Sequence, residues 1–253
     1  MEILFYSLSG AAVGLIIGLT GVGGGALMTP LLLMFGFPAH IAIGTDLWYA
    51  AITKSGGMIA HHRRSHVRWP IVALMAAGSL PAAALTGAIL FFFFRHPEHY
   101  ASILQTTLGI MLVTTALVLI FRNRLSRSLQ SKQQVQHPVL ICFVGVILGV
   151  LVTLSSVGAG AIGTAVLMML FPMLAPKEIV GTDIAHAVPL TFTAGLVHLF
   201  LGNVDIALLL ALILGSLPAI YVGTSLSARL PARIMHPLLA TALLLLGVKY
   251  AVF

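Results

Sequence analysis

Apolar residues in this chain run in long continuous blocks separated by short polar turns. They show neither the alternation of a half-buried strand nor the one-sided stripe of a soluble helix. Ile3 to Leu19 is such a block, ending at Gly21-Val22-Gly23-Gly24-Gly25. The apolar pattern resumes from Gly24 to Phe37, but that stretch covers only about 21 Å as a helix. Pro38 begins a helix that carries Thr45, Asp46 and Lys54 inward and ends in the basic turn from His61 to Arg68. Trp69 to Phe94 and Ala101 to Phe121 follow as spans, each long enough to cross the ~30 Å hydrocarbon core. After a polar stretch at 122–137, Pro138 restarts the pattern. Because the blocks are continuous, a membrane barrel is excluded and an all-α polytopic membrane protein is predicted.

Composition agrees. The residues are 59% hydrophobic and 8% charged, with a mean hydropathy of +1.09, whereas soluble domains carry roughly 25% charged residues. A net charge of +7 raises nucleic acid as a partner. The basic residues, however, sit in short loops, at Arg63, Arg64 and Arg68 and then at Arg122, Arg124, Arg127 and Lys132, where they set orientation in the membrane. Nucleic-acid binding is therefore not expected. The single Cys142 excludes an intrachain disulfide or a multi-cysteine metal site. The acidic Glu2 argues against a cleavable signal, so the first apolar block is expected to stay.

The chain repeats itself. Gly44-Thr45-Asp46 returns as Gly181-Thr182-Asp183, and Gly78-Ser79-Leu80-Pro81 as Gly215-Ser216-Leu217-Pro218, both at an offset of 137. At that offset Gly21 and Gly23 meet Gly158 and Gly160. The expected organisation is a first membrane repeat at 1–121, a polar cytoplasmic linker at 122–137 and a second repeat at 138–253. Two arrangements compete. If each glycine stretch interrupts a single span, the loop Lys and Arg divide eight inside to four outside; if each turns a hairpin, the halves are inverted and the division is ten to two. The positive-inside rule favours the second, with three transmembrane helices after each broken hairpin and both termini outside.

Several groups in this frame carry chemistry. A helix broken at glycine exposes backbone N–H groups at the new N-terminus, where the helix dipole adds partial positive charge, and an anion is its natural guest. The plainer reading is close packing by small residues. Asp46 and Asp183 lie about two turns inside their helices, roughly 10–12 Å deep. An acid at such depth faces a partner, a cavity or an ion path, or else it caps the broken helices in trans together with Thr45 and Thr182. Lys54, which Thr191 replaces in the second half, either offsets an anion or pairs with a carboxylate. His186, three residues after Asp183, is placed to relay protons with it. His61 and His198 read as interface anchors, and Ser79 and Ser216, before mid-helix prolines, line a kink. No His or Cys spacing suits a metal, no catalytic motif is present, and no cofactor is implied.

On the glycine stretch from Gly18 to Gly25, the two Gly-Thr-Asp sequences and Gly158-Ala159-Gly160, the chain resembles the TauE/SafE sulfite exporter family. The resemblance implies a bacterial inner-membrane secondary transporter of two related halves, moving small sulfur-containing or organic anions such as sulfite, sulfonates, thiosulfate or sulfoacetate. Substrate contacts are then expected from Thr20, Gly21, Gly23, Gly24, Thr45, Lys54, Ser155, Ser156, Gly158, Gly160 and Thr182. Asp46, Asp183 and His186 would set protonation or order the breaks. The partners are the lipid bilayer and a small anion, with a homodimer left open. The competing reading is a cation or divalent-metal transporter in which the two aspartates bind the ion. Ser155, Ser156 and Ala159 depart from a glycine-rich second break.

Overall fold

The computed structural model describes residues 2–20, 25–94, 97–129, 137–227 and 232–252. These residues form helices and no strands: α1 (Glu2–Thr20), α2 (Gly25–Met34), α3 (Ala39–Arg63), α4 (Trp69–Phe93), α5 (Pro97–Leu129), α6 (Pro138–Ser155), α7 (Ala161–Leu170), α8 (Pro176–Phe200), α9 (Ile206–Ser227) and α10 (Ala232–Val252). Among the described residues, five segments are long and apolar enough to cross a membrane: Trp69–Phe93, Tyr100–Phe121, Pro138–Ser155, Pro176–Phe200 and Ile206–Gly223. Helix α5 continues through 122–129, so the polar stretch begins as an extension of a span rather than as a loop. Pro81 and Pro218 lie inside α4 and α9, which continue past them.

The main helix pairs are α1 with α9, α4 with α6, α5 with α10 and α3 with α8. Exchanging the first five helices for the last five leaves this set unchanged. Glycines make the close approaches, as small residues do where backbones meet in a membrane. A Cβ added to Gly10 or Gly14 would lie 2.3 or 2.6 Å from the carbonyl oxygen of Leu212 or Ser216. Added to Gly145 or Gly149, it would lie 2.2 or 2.4 Å from the carbonyl oxygen of Met75 or Ser79. The numbers rise together in both cases, so α1 runs parallel to α9 and α6 parallel to α4.

The other two pairs run the opposite way. Along α3, Gly44, Trp48, Gly57 and His61 meet His198, Gly195, Ile184 and Gly181 in turn, and Gly109 and Val113 of α5 meet Ala251 and Gly247 of α10. Helices α3 and α4 reverse through a tight turn, across which Trp69 Nε1 donates to His62 Nδ1 at 3.2 Å. Helix α8 therefore runs with α4, and so with α6. The chain between α6 and α8 has to travel back, and α7, about 15 Å long, makes that return together with the segment 171–175. The same reasoning places α2 as the return between α1 and α3. The chain thus turns back on α7 and on α2, as the hairpin arrangement requires, and helices at corresponding positions point in opposite directions.

The interior is divided among several apolar clusters. One joins Ile43, Leu47, Ala83, Tyr100, Leu104 and Leu190 from α3, α4, α5 and α8. A second joins Val13, Met28, Leu32, Tyr49 and Leu212. Large apolar side chains such as Phe92, Phe93, Leu214 and Tyr221 are exposed outward, which suits a surface bathed in lipid tails.

Candidate functional site

Helix α6 ends at Ser155, and Ser156 takes a left-handed backbone conformation with φ 58°. Gly158 and Gly160 follow at φ 115° and 152°, values that side-chain-bearing residues rarely adopt. Helix α7 then starts at Ala161. Gly163 N–H reaches back to Gly158 O at 2.9 Å and Thr164 N–H to Gly160 O at 2.8 Å. The N–H groups of Ala161 and Ile162 have no acceptor among the described residues, as the opening turn of a helix leaves them. The second break is thus a built helix start inside the protein. Gly21, Gly23 and Gly24 of the first break lie outside the described residues, and of Thr20 only its place at the end of α1 is described.

Charges from α3 and α8 converge on this start. Lys54, 6% exposed, donates from Nζ to the carbonyl of Ala159 in the break. Its ammonium acts electrostatically on both Asp183 and Asp46. Asp46 accepts from Thr29 Oγ1 of α2 at 2.5 Å, and Asp183 accepts from Thr164 Oγ1 of α7 at 3.0 Å. Each carboxyl group uses Oδ2 in that bond, while both Oδ1 atoms are buried with no hydrogen-bond partner. Ser156 faces Asp46 across the break, yet its buried Oγ is unbonded as well. Asp183 Oδ1 presses on Gly163 so closely that a Cβ there would lie 2.1 Å from it. Two buried carboxyl oxygens without partners thus lie beside one ammonium, with the Ser156 hydroxyl next to Asp46, and burying such atoms unpaired is costly.

Other residues expected at the site are turned elsewhere. Thr45 Oγ1 accepts the backbone N–H of Asp205, at the start of α9, at 3.1 Å. Thr182 Oγ1 accepts that of Arg68, at the start of α4, at 3.0 Å. These hydroxyls therefore accept N–H groups at the starts of α9 and α4 and not in the glycine breaks. Ser155 Oγ bonds to Leu151 O at 2.6 Å and accepts from Val157 N–H at 3.1 Å, closing its own helix end. His186 Nε2 is 2.8 Å from Ser79 Oγ of α4, so its partner is that serine and not Asp183. Tyr49 stands in the place of His186 in the first half and faces Ser216.

His198 is not an interface anchor. It is fully buried, with Nδ1 accepting from Asn203 Nδ2 at 3.1 Å and Nε2 donating to Thr153 O at 2.9 Å, a proton position assigned from these partners. Asn203 Oδ1 accepts in turn from Tyr100 at 3.1 Å. Sequence reasoning missed this network and also missed Thr29 and Thr164. The two threonines precede their acids by seventeen and nineteen residues, so a search at one fixed offset passes over them. Among the described residues no group of three or more His, Cys, Asp or Glu side chains is arranged to hold a metal.

Helices long and apolar enough to cross a bilayer, short helices on which the chain turns back, and a buried acid–ammonium cluster at the second break belong to a multi-pass helical membrane protein of the transporter class. The chain belongs to the sulfite exporter TauE/SafE family, which it matches over residues 6–250. It is 39% identical over 247 residues to the probable membrane transporter protein YjnA of Bacillus subtilis (strain 168), covering 96% of this chain and 97% of that protein. It is 30% identical over 224 residues to the probable membrane transporter protein YdhB of the same organism, covering 86% and 87%. No solved structure matches the chain.

Proposed function

We propose that the protein is a secondary transporter of small sulfur-containing or organic anions, of the sulfite, sulfonate, thiosulfate or sulfoacetate type, in a bacterial inner membrane. The observation that carries this reading is Lys54, a buried cation bound to a backbone carbonyl at the mouth of a helix N-terminus. Cation and helix start together attract an oxyanion. An ionised carboxylate beside it would repel that guest, so Asp46 and Asp183 take up protons as the anion binds and release them as it leaves. The two halves are inverted repeats, with both termini outside and 122–137 in the cytoplasm, and they alternate access by moving against each other. The cation-transporter reading meets the same Lys54: any metal at the two carboxylates has to compete with an ammonium already beside them.

Flux into liposomes carrying the purified chain tests this against sulfite, methanesulfonate, thiosulfate, sulfoacetate, sulfate and divalent metals, with and without a proton gradient. Uptake of at least one sulfur anion, accelerated by the gradient, is the expected result. Metal uptake without anion uptake would transfer the function to the competing reading. Full, pH-dependent transport by Asp46→Asn would remove the proton role. A C-terminal reporter located in the cytoplasm would overturn the topology.

A further inference from the structure

The halves are unequal at the one position that decides charge. Lys54 of α3 corresponds to Thr191 of α8, whose hydroxyl turns back to its own helix and donates to Ala187 O at 2.8 Å. Lys54 instead reaches out of its half to Ala159, in the break of the other. That break also holds Ser156, 1% exposed, with its Oγ unbonded and turned to the cluster. The ten-residue α7 opens beside it with the free N–H groups of Ala161 and Ile162. The surrounding wall is fixed by Asp46 from α3, Asp183 and His186 from α8, Thr164 from α7 and the Met111 side chain, which lies against Gly158. Among the described buried residues, Lys54 is the one lysine or arginine.

Building on the anion-transport reading above and narrowing it to singly charged guests such as sulfonates and hydrogen sulfite, which leaves out thiosulfate and sulfoacetate, we propose that the anion occupies the second break, with Lys54 as its single counter-ion, and that the site selects monoanions over dianions. Lys54 leaves the Ala159 carbonyl for the guest, whose oxygens accept from Nζ, from Ser156 Oγ and from the opening N–H groups of α7. One ammonium neutralises one charge. A second charge on the guest has no cation in this buried set, a placement that protein interiors penalise heavily.

The test is competition in liposomes loaded with the full chain, using labelled methanesulfonate as the probe and unlabelled ethanesulfonate, formate, sulfate and thiosulfate as competitors. The monoanions are expected to compete at least about ten-fold more strongly than the dianions at matched ionic strength. That ratio is read on the wild-type chain and needs no variant. Lys54→Thr should lose at least about ten-fold in apparent affinity, and Lys54→Arg should keep both uptake and the selectivity. Lys54→Thr combined with Thr191→Lys should not recover uptake, because the charge then sits in the other half. Equal competition by sulfate, or recovery in the exchanged variant, would overturn the proposal and leave anion transport standing. A wild-type chain that takes up none of the anions would overturn the functional reading itself.

Discussion

Set side by side, the two halves agree in their backbone contacts and differ in their charges. Thr45 caps the start of α9 as Thr182 caps the start of α4. Gly78 packs on the Cys142 carbonyl as Gly215 packs on that of Ser7. Asp46 takes a threonine from α2 as Asp183 takes one from α7. Yet Lys54 corresponds to Thr191, His186 to Tyr49, and Arg68 to Asp205. Asp205 caps α9 through its side chain to Leu208 N–H at 2.9 Å, while Arg68 reaches Glu178 at 2.6 Å. Backbone contacts thus recur in both halves, whereas the buried lysine stands in one of them.

The same contrast separates the two ends of the α3–α8 pair. At one end His198, Asn203 and Tyr100 satisfy one another in the dry interior. At the other, His61 and His66 hold the equivalent places with ring centroids 5.6 Å apart, and the buried Nδ1 of each has no partner. One end is a closed polar network and the other an open one.

Four measurements bear on this contrast between the halves. The largest effect is expected from Gly78→Val and Gly215→Val, where the new Cβ would lie 2.0 and 1.8 Å from a helix carbonyl. Each should cost about 3 kcal/mol or more, seen as loss of folded, monodisperse protein in detergent. Tolerance of one but not the other would show that the scaffold itself is unequal. Next, Asn203→Ala leaves His198 and Tyr100 without their shared partner and should cost about 2 kcal/mol. His66→Ala at the matching place should cost less than about 1 kcal/mol, since it removes no hydrogen bond made by the side chain. Thermal unfolding in detergent reads both, and equal losses would cancel the distinction between the ends.

A smaller change is expected from the acids. Asp46→Asn and Asp183→Asn should each slow transport about ten-fold, the loss of one charge-assisted interaction, and should flatten its pH dependence. A variant that slows transport yet keeps the full pH dependence would remove that acid from proton exchange. The smallest effect belongs to Arg68→Gln. Its ion pair with Glu178 is exposed at 52% on the arginine side, so stability should fall by no more than about 1 kcal/mol and less at high salt. The Glu178 carboxylate retains its second role, accepting Ala175 N–H at the start of α8 at 3.0 Å.

Much of this architecture was legible beforehand. The count of loop charges preferred a reversal at each break, and the antiparallel course of α3 against α8 requires one. The depth of Asp46 and Asp183 followed from Pro38 and Pro176, since α3 begins at Ala39 and α8 at Pro176. The destinations of neighbouring side chains were not legible. Thr45 and Asp46 are adjacent, yet successive helical residues point about 100° apart, and only the packed neighbours decide that one meets the α9 start and the other the cluster. His198 read as a boundary residue because it stands two residues before the end of its helix. The turn at 201–205 then folds back over it, with Asn203 N–H bonded to His198 O at 2.8 Å, and covers it completely.

A helical membrane protein with two related sets of motifs, and with acids two turns inside their helices, follows from the order of residues alone. Continuous apolarity, helix rise and loop charge are local properties, and the bilayer imposes the same rule on each segment. It is the packing of the bundle that brings the lysine of one half to the break of the other, sets Thr45 and Thr182 at the starts of α9 and α4, and pairs His186 with Ser79. Those are contacts between helices distant in sequence, chosen by which faces meet when the bundle closes, and no period along the chain records them.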